Sequence, residues 1–248
     1  MSFGGYVAAS RSPRYSLTFA LPLLLLYEVL AAVLPGTAIA GIRNGADVLL
    51  KTVFVAFGGR TGLATFGIAL FGVGAWLVWR DWRRHGGQLR GAFLAAMLAE
   101  SLAYAAVFGT VTAQLTALLL AGVPLSVPFA QDPGAPLPLG TQLVVSLGAG
   151  IYEELVFRVL LVSGLLAAAL AFGARRPVAL ATAIVLSAVI FSGFHYVGPL
   201  GDTFTLPSFT FRAIAGLLLS ALYAARGFGI AAWTHALYDV GLALLSQG

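Results

Sequence analysis

The stretch Thr141-Gln-Leu-Val-Val-Ser-Leu-Gly-Ala-Gly-Ile-Tyr-Glu-Glu-Leu-Val-Phe-Arg-Val-Leu-Leu-Val-Ser-Gly-Leu-Leu-Ala-Ala-Ala-Leu-Ala-Phe172 carries only three charges, Glu153, Glu154 and Arg158. A helix needs ~20 apolar residues to cross the hydrocarbon core of a bilayer. This run is longer, so it must tilt, protrude or break. It therefore reads as a membrane span, and its three charges sit where charge is expensive and functional by default.

The rest of the chain agrees. Of 248 residues, 60% are apolar and 9% charged, and the mean hydropathy is +0.95. A soluble domain is about 25% charged. So few charges cannot cover a globular surface, which excludes a single soluble domain. A disordered chain and a nucleic-acid binder are excluded as well, despite a net charge of +5. Without cysteine there is no disulfide and no thiolate chemistry.

Five more apolar runs are clear: Leu17–Leu34, Thr61–Trp79, Gly91–Leu120, Pro177–Val197 and Gly227–Ser246. Pro207–Ala225, broken by Arg212, makes a seventh span in all. In Gly41–Phe57, Arg43, Asp47 and Lys51 share one helical face. That stretch reads as an amphipathic helix in the interface and not as a span. Met1–Arg14 lacks the layout of a signal peptide, so Leu17–Leu34 reads as a retained first helix.

Loop charge orients the spans. Arg11 and Arg14 precede the first; Arg80, Arg83, Arg84 and Arg90 follow the second; Arg175, Arg176 and Arg226 lie in later connections. Loops 121–140 and 198–206 have no Lys or Arg. Seven spans bring every arginine-rich connection to one side, the cytoplasmic one. Eight, with 41–57 spanning, would set the loop at 80–90 against the N-terminal arginines. The loop Val123–Pro138, with prolines at 124, 128, 133, 136 and 138, reads as an ordered cap or a stiff connection over the outer face. The expected fold is an all-α polytopic membrane protein of about seven transmembrane helices around a buried catalytic site. Residues 1–140 supply N-terminal helices, the amphipathic segment and the proline-rich loop, and 141–248 form the catalytic core.

Chemistry gathers in three motifs. In Glu153-Glu154-x-x-x-Arg158, Glu154 and Arg158 are i, i+4 neighbours able to ion-pair. Glu153 is turned away by about 100° and can meet another partner. One carboxylate neutralises Arg158, so the second, in apolar surroundings, suits general-base work. Phe191-x-x-x-His195 and His235-x-x-x-Asp239 follow on later spans. Taken alone, His195 reads as a satisfied buried histidine and Asp239 as a group that orients His235. Together, the three motifs point to one shared buried site. Glu28 and Glu100 read as structural, with Glu28 able to reach the site. Arg212 snorkels or pairs with Asp202. Gly72, Gly74, Gly148, Ala149 and Gly150 permit close helix approach.

The ordered triple, over roughly the last hundred residues, resembles the CAAX protease and bacteriocin-processing (CPBP, or Abi) family of intramembrane glutamic-type endopeptidases, with its myxosortase-like members included. One departure stands out: the third motif commonly ends in Asn, and here it ends in Asp239. The resemblance implies that Glu153, helped by His195, takes a proton from water, and that His235 with Asp239 stabilises the oxyanion. Glu154 and Arg158 hold the geometry. No cofactor is expected. A zinc version would recruit Glu153, His195 and His235 with water as fourth ligand, and there is no H-E-x-x-H pattern to favour it. Expected partners are a membrane protein or peptide substrate and the lipid bilayer, with no nucleic acid. The Ala/Leu/Gly/Arg-rich composition looks bacterial, which points to the inner membrane, and the resemblance to the myxosortase-like members implies processing of C-terminal anchors on surface proteins. The rival readings are a proton-coupled transporter, against which stands the lack of a repeated half, and a catalytically silent immunity or assembly factor.

Overall fold

A computed structural model describes residues 3–33, 44–122, 138–198 and 201–246. Arg43 and most of the proline-rich loop fall outside these residues. Everything regular among them is helical. A short helix α1 (Phe3–Arg11) leads into α2 (Pro13–Val33), α3 (Gly45–Gly58), α4 (Gly62–His85) and α5 (Gly91–Leu119). Next come α6 (Leu139–Gly148) and α7 (Ser163–Ala171), then α8 (Arg176–Phe194), α9 (Leu206–Arg226) and α10 (Phe228–Leu245). Among the described residues seven stretches are long and apolar enough to cross a membrane, and one of them, Gly45–His85, joins α3 and α4 through a tight turn at Gly59–Thr61. The chain is an all-α polytopic membrane protein.

The long apolar run around Glu153 and Glu154 is one unbroken helical stretch. α6 passes into α7 through wide i→i+5 turns at Ala149–Glu153 and Leu155–Val162. The rod spans Leu139–Ala171, 33 residues. At 1.5 Å per residue it is about 50 Å long, well beyond the ~30 Å hydrocarbon core. Such π turns are rare and concentrate at functional sites, and both glutamates sit among them.

Outer faces are apolar. Leu25, Leu26, Val29, Ile68, Val73, Leu118, Val185 and Val189 are all exposed, as lipid-facing side chains are and as a soluble surface seldom is. The core gathers around α10, whose Gly229, Ala231, Ala232 and Ala236 let neighbouring backbones close in. A Cβ on Gly229 would lie 2.5 Å from the Ser16 carbonyl oxygen. In place of that Cβ, Gly229 N donates to Ser16 Oγ at 2.7 Å, and Trp233 Nε1 donates to Phe19 O at 2.7 Å. Gly150 packs against α10 in the same way, its Cβ position 2.5 Å from that of Ala236, and Gly148 packs against Tyr27 and Asn44. Gly72 and Gly74 meet nothing within 4 Å and are not approach points.

The basic connections collect at one end of the bundle. Arg14 donates to the carbonyls of Gly86 and Gly87, Arg11 to Ala224 O, and Arg90 N to Tyr15 Oη. Glu100 takes both arms of Arg226 at 2.6 and 2.7 Å and a hydrogen bond from Tyr6. Burial and the Glu100 carboxylate push the Tyr6 phenol up to about 12, so it stays a donor. Ser192 Oγ donates to Phe209 O, joining the end of α8 to the start of α9, so Arg175 and Arg176 return to the arginine end.

The helix α3 departs from the sequence expectation in one respect. An interfacial helix presents its charged face to headgroups. Here Asp47 is fully buried, accepts from Tyr27 at 2.7 Å and pairs with Lys51 at 2.7 Å, and Lys51 also reaches Glu28 at 3.1 Å. Val48, Leu49, Val53, Val55 and Phe57 face outward. The charges find partners on α2, so that face turns into the protein.

Candidate active site

The rod supplies the two glutamates. Glu154 and Arg158, both fully buried, form the i, i+4 pair at 3.1 Å. The Arg158 guanidinium also stacks over the Phe191 ring at 4.4 Å, a cation–π contact that the dry surroundings strengthen. Glu153 points elsewhere, as its rotation around the helix requires. Its Oε1 accepts from Asn44 Nδ2 at 2.7 Å, and its buried Oε2 has no hydrogen-bond partner among the described residues.

Two further helices bring the histidines. His195 caps α8 at its end away from the arginines. Its Nδ1 lies 2.8 Å from Phe191 O. A carbonyl oxygen only accepts, so Nδ1 carries the hydrogen, and a neutral ring keeps Nε2 as an acceptor. His235 stands midway along α10. Its Nδ1 lies 2.8 Å from Glu154 Oε1, and its Nε2 lies 3.5 Å from Asp239 Oδ2. The i, i+4 spacing thus brings His235 and Asp239 near each other, but Glu154 gives the closer contact. Glu154 serves Arg158 and His235 together.

Asn44, Glu153, His195, His235 and Asp239 all line a cavity of about 1480 Å³. Small residues of α5, among them Ala105, Ala106 and Gly109, form one wall, and Arg212, paired with Asp202 and Ser208, stands in another. Glu154 and Arg158 do not line it, which suits a supporting place behind the site. Glu28 stays behind as well: it accepts from Tyr152 and pairs with Lys51. Glu100 sits at the arginine end.

Among the described residues no three of His, Asp and Glu converge as a metal would need. Glu153 Oε1 is engaged by Asn44, and His235 has Glu154 on one ring nitrogen and Asp239 near the other. Sequence reasoning missed Asn44 altogether. Its only local signal is that of a helix N-cap, with Oδ1 accepting from Ala46 N at 2.9 Å.

Residues 135–241 match the family model described as Rce1-like, type II CAAX prenyl endopeptidase Rce1-like. The matched segment holds all three motifs. No curated protein and no solved structure matches the chain.

Proposed function

Since residues 135–241 match the Rce1-like model of type II CAAX prenyl endopeptidases, we propose that Glu153 is the general base of peptide hydrolysis in this chain. The observation that supports this best is the division of labour on its carboxylate: Glu153 lines the cavity, Oε1 is anchored by Asn44, and Oε2 is buried with no hydrogen-bond partner among the described residues.

In this reading, Glu153 Oε2 takes a proton from water as the water oxygen bonds to the scissile carbonyl carbon. His195 Nε2 accepts the other hydrogen of that water as a hydrogen bond and aims its lone pair. The carbonyl becomes an oxyanion, and an N–H of His235, whose ring Asp239 orients, stabilises the charge. The proton held on Glu153 then passes to the leaving nitrogen as the carbon–nitrogen bond breaks, giving a carboxylic acid and an amine, and the acid's proton then moves to the amine to leave a carboxylate and an ammonium group. Glu154 and Arg158 keep His235 and the rod in register. Every step uses groups of this chain and water.

The substrate is a membrane-associated protein cleaved near a C-terminal anchor. Support comes from the position of the cavity, which lies away from the arginine-lined end of the bundle and reaches Asp202, Arg212 and Leu245. With the arginines cytoplasmic, it opens outward, toward an already translocated surface protein in a bacterial inner membrane. The test incubates the purified protein with membranes of a deletion strain, and mass spectrometry identifies the new peptide termini. New termini next to C-terminal hydrophobic segments are expected, and absent with Glu153→Gln. Cleavage confined to prenylated cytoplasmic termini would overturn the substrate assignment, and no cleavage at all would favour a silent relative.

A further inference from the structure

The carboxylate of Glu153 is held by a residue from outside the family-matched segment. Asn44 lies 109 positions earlier, is 4% exposed, and donates Nδ2 to Glu153 Oε1 at 2.7 Å. An amide could rotate and offer its oxygen instead, which would repel a carboxylate. Here it cannot do so freely, because Oδ1 is committed to Ala46 N as the N-cap of α3. The cap thus fixes which end of the amide faces Glu153.

The bracket carrying Asn44 is itself fixed. One turn further along α3, Asp47 accepts from Tyr27, and Lys51 joins Asp47 to Glu28. Tyr152, the neighbour of Glu153 in the chain, donates to Glu28. Gly148, one turn before, leaves room for Asn44, since a Cβ there would come 2.7 Å from the Asn44 Cβ. α2, α3 and the π turns therefore lock together at the one point where Asn44 meets Glu153.

We infer that Asn44 is a positioning residue for Glu153, holding Oε1 so that Oε2 is the oxygen left to accept a proton, and that the N-terminal half thereby completes the catalytic site. This rests on the reading of Glu153 as the base.

Asn44 has two roles that substitutions separate. Ser is a good N-cap but too short to reach Glu153; Ala can do neither. Wild type, Asn44→Ser, Asn44→Ala and Glu153→Gln are purified in detergent and compared by thermal unfolding. Their rates of forming new termini in deletion-strain membranes are compared in parallel. Asn44→Ser is expected to unfold at the wild-type temperature yet cleave roughly tenfold to a hundredfold more slowly, the worth of one hydrogen bond to a charged group. Asn44→Ala should be equally slow and should also unfold earlier. An Asn44→Ser protein of wild-type rate, or one that loses stability together with activity, would reduce Asn44 to a cap. Glu153→Gln keeps the two ideas apart. A dead Glu153→Gln beside a fully active Asn44→Ser overturns the role of Asn44 alone, whereas an active Glu153→Gln overturns the base itself.

Discussion

Glu154 Oε1 lies 2.8 Å from His235 Nδ1 and 3.1 Å from Arg158 Nη1. One buried carboxylate thus links the rod of α6 and α7 to α10 and counters the arginine as well. Removing any of the three leaves a desolvated group without its partner. The pair is also what presents His235 to the cavity with its Nε2 turned toward Asp239.

Arg158→Ala should therefore act first on folding. It strands Glu154 in an apolar site, at a cost of about 3–5 kcal/mol, and it removes the stacking on Phe191. A clearly lower unfolding temperature in detergent is expected together with loss of activity. If activity is lost at unchanged stability, Arg158 acts directly on the reaction.

Glu153→Gln has the opposite profile. Gln has the same shape, and one end of its amide can accept from Asn44, but it cannot take a proton from water. A general base contributes on the order of 10²–10⁴ in rate, and a loss of that size with near-wild-type unfolding is expected. Near-normal turnover would sink the assignment.

At position 239, Asn should be tolerated better than Ala. Asn preserves the size of the group 3.5 Å from His235 Nε2 and adds a donor. Equal loss of cleavage rate in both would mean that the negative charge itself is needed to orient the ring.

Gly150→Ala should be destabilising wherever it is measured. The new methyl would stand 2.5 Å from Ala236 Cβ and 2.6 Å from Ala232 O, an overpacking that costs about 1–3 kcal/mol. Gly72→Ala, with open space around it, is the control expected to leave the unfolding temperature unchanged.

Orientation can be read directly in this cysteine-free chain. Thr203 and Arg84 are exposed near opposite ends of the bundle. With a membrane-impermeant thiol reagent on intact cells, Thr203→Cys should label and Arg84→Cys should not. The reverse pattern would turn the cavity toward the cytoplasm.

The sequence alone determined the membrane fold, because length and apolarity decide what a bilayer will accept. Loop arginines sorted the connections, and the structure gathers those basic connections at one end. It also determined the Glu154–Arg158 pair and the alignment of His235 with Asp239, since i, i+4 geometry is local to a helix. The gathering of Glu153, His195, His235 and Asp239 around one cavity was legible from three polar motifs in otherwise apolar runs. Only the tertiary structure decided that Glu154 also holds His235, that the charged face of α3 turns inward, and that Asn44 meets Glu153. It decided too that Gly148 and Gly150 are contact points while Gly72 and Gly74 are not. The reason is the solvent. In lipid both the buried and the outer face of a helix are apolar, so hydropathy carries no record of which face meets which neighbour. That record lies in shape and in a few hydrogen bonds between distant residues, and it exists only once the helices have packed.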